Sequence, residues 1–155
     1  MVEAVSIKKE LRLSRQMDLS STTTDNVTEI LVKIIEFTER RHGLLTSNIL
    51  GINDPDFVPK DMDVTGFADL MGEAVSEHVR SQRLLLRDSN NIKFGASGNF
   101  KCKAIVDYHA QNILNKDAEA YMQMQLKKLS ENTLNNEVAN RLLEHKQSAN
   151  QPFNN

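Results

Sequence analysis

The sequence predicts a mainly α-helical protein, and three apolar patterns predict it. The first comprises Val27, Ile30, Leu31, Ile34 and Ile35; the second Phe67, Leu70, Met71, Ala74, Val75, His78 and Val79; the third Tyr121, Met122, Leu126, Leu129, Leu142 and Leu143. Spacings of three and four residues place each set on one face of a helix. Between the second and third, "IKFGASGNFKCKAI" alternates apolar and polar residues around glycines, which predicts a short β-hairpin or an irregular loop.

Taken in order, residues 1–25 read as a flexible polar arm with one short helix around Ser6 to Met17, closing in the Ser20-Ser21-Thr22-Thr23-Thr24 linker. A single domain follows over 26–147. Asn26 with Glu29 three residues on has the form of a capping box, so a helix is expected over 26–52, about 40 Å long at 1.5 Å per residue. Gly43 inside it costs about 1 kcal/mol relative to alanine. Asn53-Asp54-Pro55 and Pro59 forbid its continuation, because proline lacks an N–H and drives its predecessor out of the helical region. A loop over 53–65, a helix over 66–86, the irregular or hairpin stretch over 87–114, a helix over 115–147 capped by Asn115, and a frayed tail over 148–155 complete the expected layout. Asn132, Asn135, Asn136 and Asn140 sit inside the last helix. Asparagine is a mediocre helix former, so its use there suggests packing against other polar surfaces, or else a biased composition.

Composition excludes several classes. The chain has 155 residues, 19 Lys and Arg against 21 Asp and Glu, and only 5% aromatic residues with no tryptophan. An aliphatic core is the expectation, and no net field draws the chain to nucleic acid or anionic lipid. Cys102 stands alone, which rules out an intramolecular disulfide. No stretch has the length of a membrane span, and no apolar segment of signal-peptide form opens the sequence.

Catalytic devices are equally scarce. His42, His78, His109 and His145 are far apart and fit packing better than ligation. The Gly95 to Gly98 stretch lacks the lysine and strand-to-helix context of a phosphate loop and reads as a turn. Arg80, Arg83 and Arg87 form a basic stripe that a solvated helix face explains, and Glu39, Asp61, Asp63 and Asp69 show no pairing across a pocket. No enzyme, cofactor or metal site is expected.

One long stretch has a resemblance. "RHGLLTSNILGINDPDFVPKDMDVTGFADLM" is similar to the N-terminal signature of bacterial flagellar rod and hook proteins, in which a helix ends in A-N-I-A-N-x-x-T-P-G-Y followed by K-x-R-D-x-D-F. Ser47-Asn48-Ile49 matches A-N-I, Pro55 the proline, Phe57 the aromatic residue and Lys60-Asp61-Met62-Asp63 the charged continuation, in the manner of the basal-body rod proteins, closest to the proximal ones. Near the other end, "QNILNKDAEAYMQMQLKKLSENTLNNEVANRLL" resembles the family's G-N-x-V-D-x-D and L-A-E-N-x-L-x-Y-Q elements, most closely at Leu129 to Leu134. Gly51, Asp54 and Asp56 replace the family's second asparagine, threonine and glycine, and the arm before the first helix is longer than the family's.

The resemblance implies that the N- and C-terminal helices pair as a coiled-coil-like hairpin, with a short helix and an irregular or small β segment between them. It implies a structural subunit of the proximal rod, exported without a cleaved signal peptide and polymerised in the periplasm. Its partners would be further copies, other rod subunits, the proteins joining rod to membrane ring, and the export apparatus. Asn48, Ile49, Pro55, Phe57, Asp61, Glu131 and Asn132 would be its assembly residues. The alternative is a cytoplasmic helical adaptor or secretion chaperone that holds a partner helix with the same apolar stripes.

Overall fold

The computed structural model describes residues 2–95 and 99–149, with the backbone alone for 2–25. It is mainly helical. The order is α1 (Val2–Leu50), β1 (Lys60–Asp61), α2 (Val64–Ser81), β2 (Ile92–Lys93), β3 (Lys101–Cys102), β4 (Ile105–Val106), α3 (Tyr108–Lys116) and α4 (Ala118–Ala149).

Helix α1 passes through Asn26 without a break, so Asn26 is not the N-cap that the capping-box pattern suggests. Its side chain serves a tertiary contact instead: it is buried and donates to the Gln82 carbonyl at 3.0 Å. Gln82 follows the last residue of α2 and is left-handed (φ 59°), with its N–H returning to the His78 carbonyl. That cap ends α2 at Ser81, short of the expected 86, and leaves Leu86 to pack from an extended segment against the core. The expected short helix and linker before Asn26 are one continuous helical backbone, while their side chains, residues 96–98 and the tail beyond Ala149 lie outside the described residues.

The stretch expected to be irregular or a hairpin, 87–114, holds one small antiparallel pair and one strand of a second, whose other strand lies in the loop before α2. β2 pairs with β3 on either side of Gly95, and β1 pairs with β4, Lys60 opposite Val106. Its last part is helical. Asp107 caps α3 by accepting from the Ala110 N–H at 3.0 Å, and Asn115 therefore lies inside α3 rather than capping the last helix. Asp117 takes an extended conformation and accepts from the Ala120 N–H at 3.0 Å, so it opens α4 two residues later.

The core is mixed, with aromatic rings set among the expected aliphatic side chains. Four of the six phenylalanines, Phe37, Phe67, Phe94 and Phe100, are buried together with Ile30, Met62, Met71, Ala74 and Ile92. Phe37 and Phe67 stack with centroids 4.0 Å apart, and the Arg40 guanidinium lies 4.9 Å from the Phe100 centroid. A small number of aromatic residues concentrated at one junction of α1, α2 and the β2–β3 pair thus closes a core that overall composition does not reveal.

Candidate assembly interface

Helices α1 and α4 lie antiparallel: Lys146 donates to Thr28 at one end and Asn48 to Gln125 at the other. The contact is largely polar. Asn132 donates to the Thr38 carbonyl at 2.7 Å, Asn136 to the Thr38 hydroxyl at 2.9 Å, and Asn140 to Asn136 at 3.0 Å. Asn132 and Asn136 are therefore packed on a polar surface of α1, while Asn140 bonds within α4 and Asn135 is exposed; among the described residues no buried side-chain N or O lacks a partner.

Asn48 is the joint between this contact and the loop. Its amide donates to the Lys60 carbonyl at 2.8 Å and to Gln125 Oε1 at 3.0 Å, while its oxygen accepts from the Lys60 N–H at 3.1 Å. The Tyr121 hydroxyl donates to the Asn48 carbonyl at 2.8 Å, one of the four carbonyls that the end of α1 would otherwise leave unpaired. Burial, with the Asp107 charge adding to it, pushes the Tyr121 hydroxyl up to about 12 and keeps it a donor.

Asp61 sits one strand residue further on. Arg41 grips it with two bonds, Nε to Oδ1 at 2.8 Å and Nη2 to Oδ2 at 3.0 Å. Lys128 bridges Asp61 at 3.1 Å and Asp107 at 2.7 Å. Two cations and two carboxylates from α1, β1, α4 and the cap of α3 thus form a neutral cluster. Burial would raise the Asp61 carboxyl, but Arg41, the Met62 N–H and Lys128 together outweigh it and hold the group below its ordinary value. For Lys128, burial acts downward and the bonds and charges of Asp107 and Asp61 prevail, so its ammonium is stabilised.

The remaining expected assembly residues are spread out. Ile49 is half-buried, Pro55 and Glu131 are exposed, and Asn132 is buried in the α1–α4 contact. Phe57 folds back so that its ring covers Gly51, where a Cβ would collide with Cδ2 of the ring. This close approach explains glycine at that position. The structure therefore gathers Asn48, Asp61 and Asn132 along the α1–α4 contact, and leaves Pro55 and Glu131 facing outward at separate places. Tyr121, a member of the third apolar pattern, belongs to the same network, as do Arg41, Lys128, Asp107, Gln125 and Thr38, which the apolar patterns passed over. One signal for them exists: Leu31, Ile34, Thr38, Arg41, Leu45 and Asn48 alternate by three and four regardless of polarity.

Outside this contact α4 carries apolar residues in the open: Leu126, Leu134, Val138 and Leu142 are each about half exposed. Two of these, Leu126 and Leu142, belong to the apolar set expected to form the helix's packing face. The buried face carries Tyr121, a member of that set, together with Gln125, Asn132 and Ala139, which are not. Leu134, Val138 and Leu142 form one wall of a groove of about 480 Å³ whose other sides are α1 and α2. Cys102 is half-buried, and burial, opposed by Arg40, pushes its thiol up to about 11, which favours the protonated thiol at neutral pH. Among the described residues no helix is long and apolar enough to cross a membrane, and no group of three His, Cys, Asp or Glu is placed to hold a metal ion. Compared with models of known families, with curated proteins and with solved structures, the chain matches none.

Proposed function

We propose that the chain is a structural subunit of the proximal rod of the bacterial flagellar basal body, exported without a cleaved signal peptide and assembled in the periplasm by helix packing. In this reading α1 and α4 form a coiled-coil-like hairpin. Support comes from the alternating three-and-four spacing of Leu31 to Asn48 on α1 and of Tyr121, Gln125, Lys128 and Asn132 on α4, the spacing that keeps one seam facing its partner. Polar residues within such a seam fix register at some cost in stability, the best attested use of buried polar groups.

The observation that carries the proposal is the position of Asn48. The residue that matches the asparagine of the rod signature ties the last turn of α1 to the loop behind it and to α4. Its bonds give a physical reason for an amide there: the NH2 supplies two donors, to the Lys60 carbonyl and Gln125, while the oxygen accepts from the Lys60 N–H. The loop so fixed displays Pro55 for contact with neighbouring rod or ring-junction subunits, and the exposed apolar residues of α4 await further copies.

Replacing Pro55 and Phe57 together by alanine tests the loop. Incorporation into rods is expected to be lost, and with it swimming, while the purified variant keeps the circular dichroism of the parent. Normal motility would remove the loop from the interface. The adaptor reading predicts a chain retained in the cytoplasm and bound to a partner helix there.

A further inference from the structure

Two exposed surfaces of opposite sign lie apart in the fold. The first is the outward face of the β2–β3 pair. Lys93 stands opposite Lys101 in the register, and the Lys103 N–H continues the ladder to the Asn91 carbonyl at 2.8 Å. Strand alternation sends Ile92, Phe94 and Phe100 to the core and the three lysines to the other side, where all are exposed. From Ile92 to Lys103 the sequence holds these three cations and no acid. Like charges directly opposite each other destabilise a strand pair, and among the described residues none of the three lysines is in an ion pair. The second surface is the loop after α1. From Gly51 to Pro59 the sequence holds Asp54 and Asp56 on either side of Pro55 and no base. All three residues are exposed, and Asp54 Oδ1 accepts from the Asp56 N–H at 2.9 Å, which fixes the turn. Lys60 lines the same cleft, yet neither aspartate is in an ion pair among the described residues.

We propose that the Asp54-Pro55-Asp56 turn of one copy of the chain docks on the lysine face of the next. Within one copy the two surfaces do not meet: Phe100 lies against Arg40, and about 15 Å of helix separates Arg40 from the end of α1 at Leu50. A second copy brings them together, and its carboxylates offset the repulsion between Lys93 and Lys101. The chain's own turn is favoured as the occupant because it is exposed, carries two acids without a base, and is the segment already read as meeting a neighbour. Complementary charge of this kind speeds the encounter and fixes register. Because turn and strand pair are different surfaces, the contact is heterologous, and nothing in a pair of copies prevents a third from adding. The inference deepens the proposed function and rests on its self-association, not on the rod.

The test uses full-length chains in sedimentation velocity over a range of concentrations at low salt. The unmodified chain is expected to form a ladder of oligomers that shrinks as salt screens the exposed charges. Lys93→Glu with Lys101→Glu and Lys103→Glu, and separately Asp54→Lys with Asp56→Lys, are each expected to weaken association about 100-fold, because like charges then meet across the contact. Mixing the two variants sets basic turns against acidic strand pairs and acidic turns against basic ones, so association should return. Glu29→Lys with Glu39→Lys makes the same change in net charge as the turn variant from exposed positions elsewhere, and should leave the ladder intact. An unmodified chain that stays monomeric, a lysine or turn variant that associates like the parent, a mixture that stays apart, or a Glu29 and Glu39 variant that weakens association equally each overturns the proposal. Lysine variants that associate like the parent would leave the lysines as guards against pairing at a sheet edge. Asp54→Asn with Asp56→Asn serves as the turn variant if the lysine form loses helicity. Mixed variants that associate, in a chain absent from basal bodies, would sink the rod reading alone. A chain present in rods whose mixed variants stay apart would sink only this contact.

Discussion

Asn48→Ala is expected to lower the unfolding free energy by about 3–4 kcal/mol, since each buried partner left unpaired costs about 1–3 kcal/mol. The alanine strands the Lys60 N–H, the Lys60 carbonyl and Gln125 Oε1, all now satisfied by one side chain. Water reaches this point poorly, because Asn48, Gln125 and Tyr121 are all fully or almost fully buried. With a urea slope of about 2 kcal/mol per molar, the midpoint should fall by about 1.5–2 M. A shift below about 0.5 M would mean that solvent enters and replaces the bonds. Gln125→Ala removes just one of them and is expected to cost less.

Asp61→Asn is the second large effect, expected at about 2–4 kcal/mol, because removing one member of a buried ion pair leaves an uncompensated charge. The charge left behind is Arg41, whose side chain is only 9% exposed; Lys128 keeps Asp107. Replacing both partners, Arg41→Met with Asp61→Leu, should cost less than Asp61→Asn alone, since no buried charge then remains. The pH dependence has a definite sign. A carboxyl held below its ordinary value contributes stability that is present above the unfolded value near 3.9 and is lost as pH falls through the folded value. The raised Lys128 contributes stability that is present below the unfolded value near 10.4 and is lost as pH rises through the folded one. The cluster is therefore expected to contribute fully between about pH 4 and pH 10, and urea midpoints for Asp61→Asn should fall less on acidification than those of the parent.

Helix identity was legible where apolar residues recur, as in Val27 to Ile35 and Phe67 to Val79, and the stop before Pro55 was legible from proline chemistry. What escaped was fixed by distant partners. Asn26 has the local form of a cap, yet its amide is used by Gln82, which sequence proximity does not reveal. Asp107 and Asp117 each cap a helix, but with several polar residues nearby only the fold shows which of them does so. On α4 the buried face joins Tyr121 to Gln125 and Asn132 while Leu126 and Leu142 lie half exposed, so a hydrophobic pattern marks that face only in part. The candidate site was half legible for the same reason. Asn48, Asp61 and Asn132 came from a likeness of short motifs, whereas Arg41, Lys128 and Asp107 become partners only once three helices and a two-residue strand meet.

Placement of the chain in the rod is tested most directly by purifying basal bodies from the source cells and probing them with an antibody to this chain. The rod reading predicts that the antibody labels the fraction retaining the rod and that the label disappears when the rod is stripped from the membrane ring. A chain confined to the cytoplasm, with rods complete and unlabelled, would contradict it.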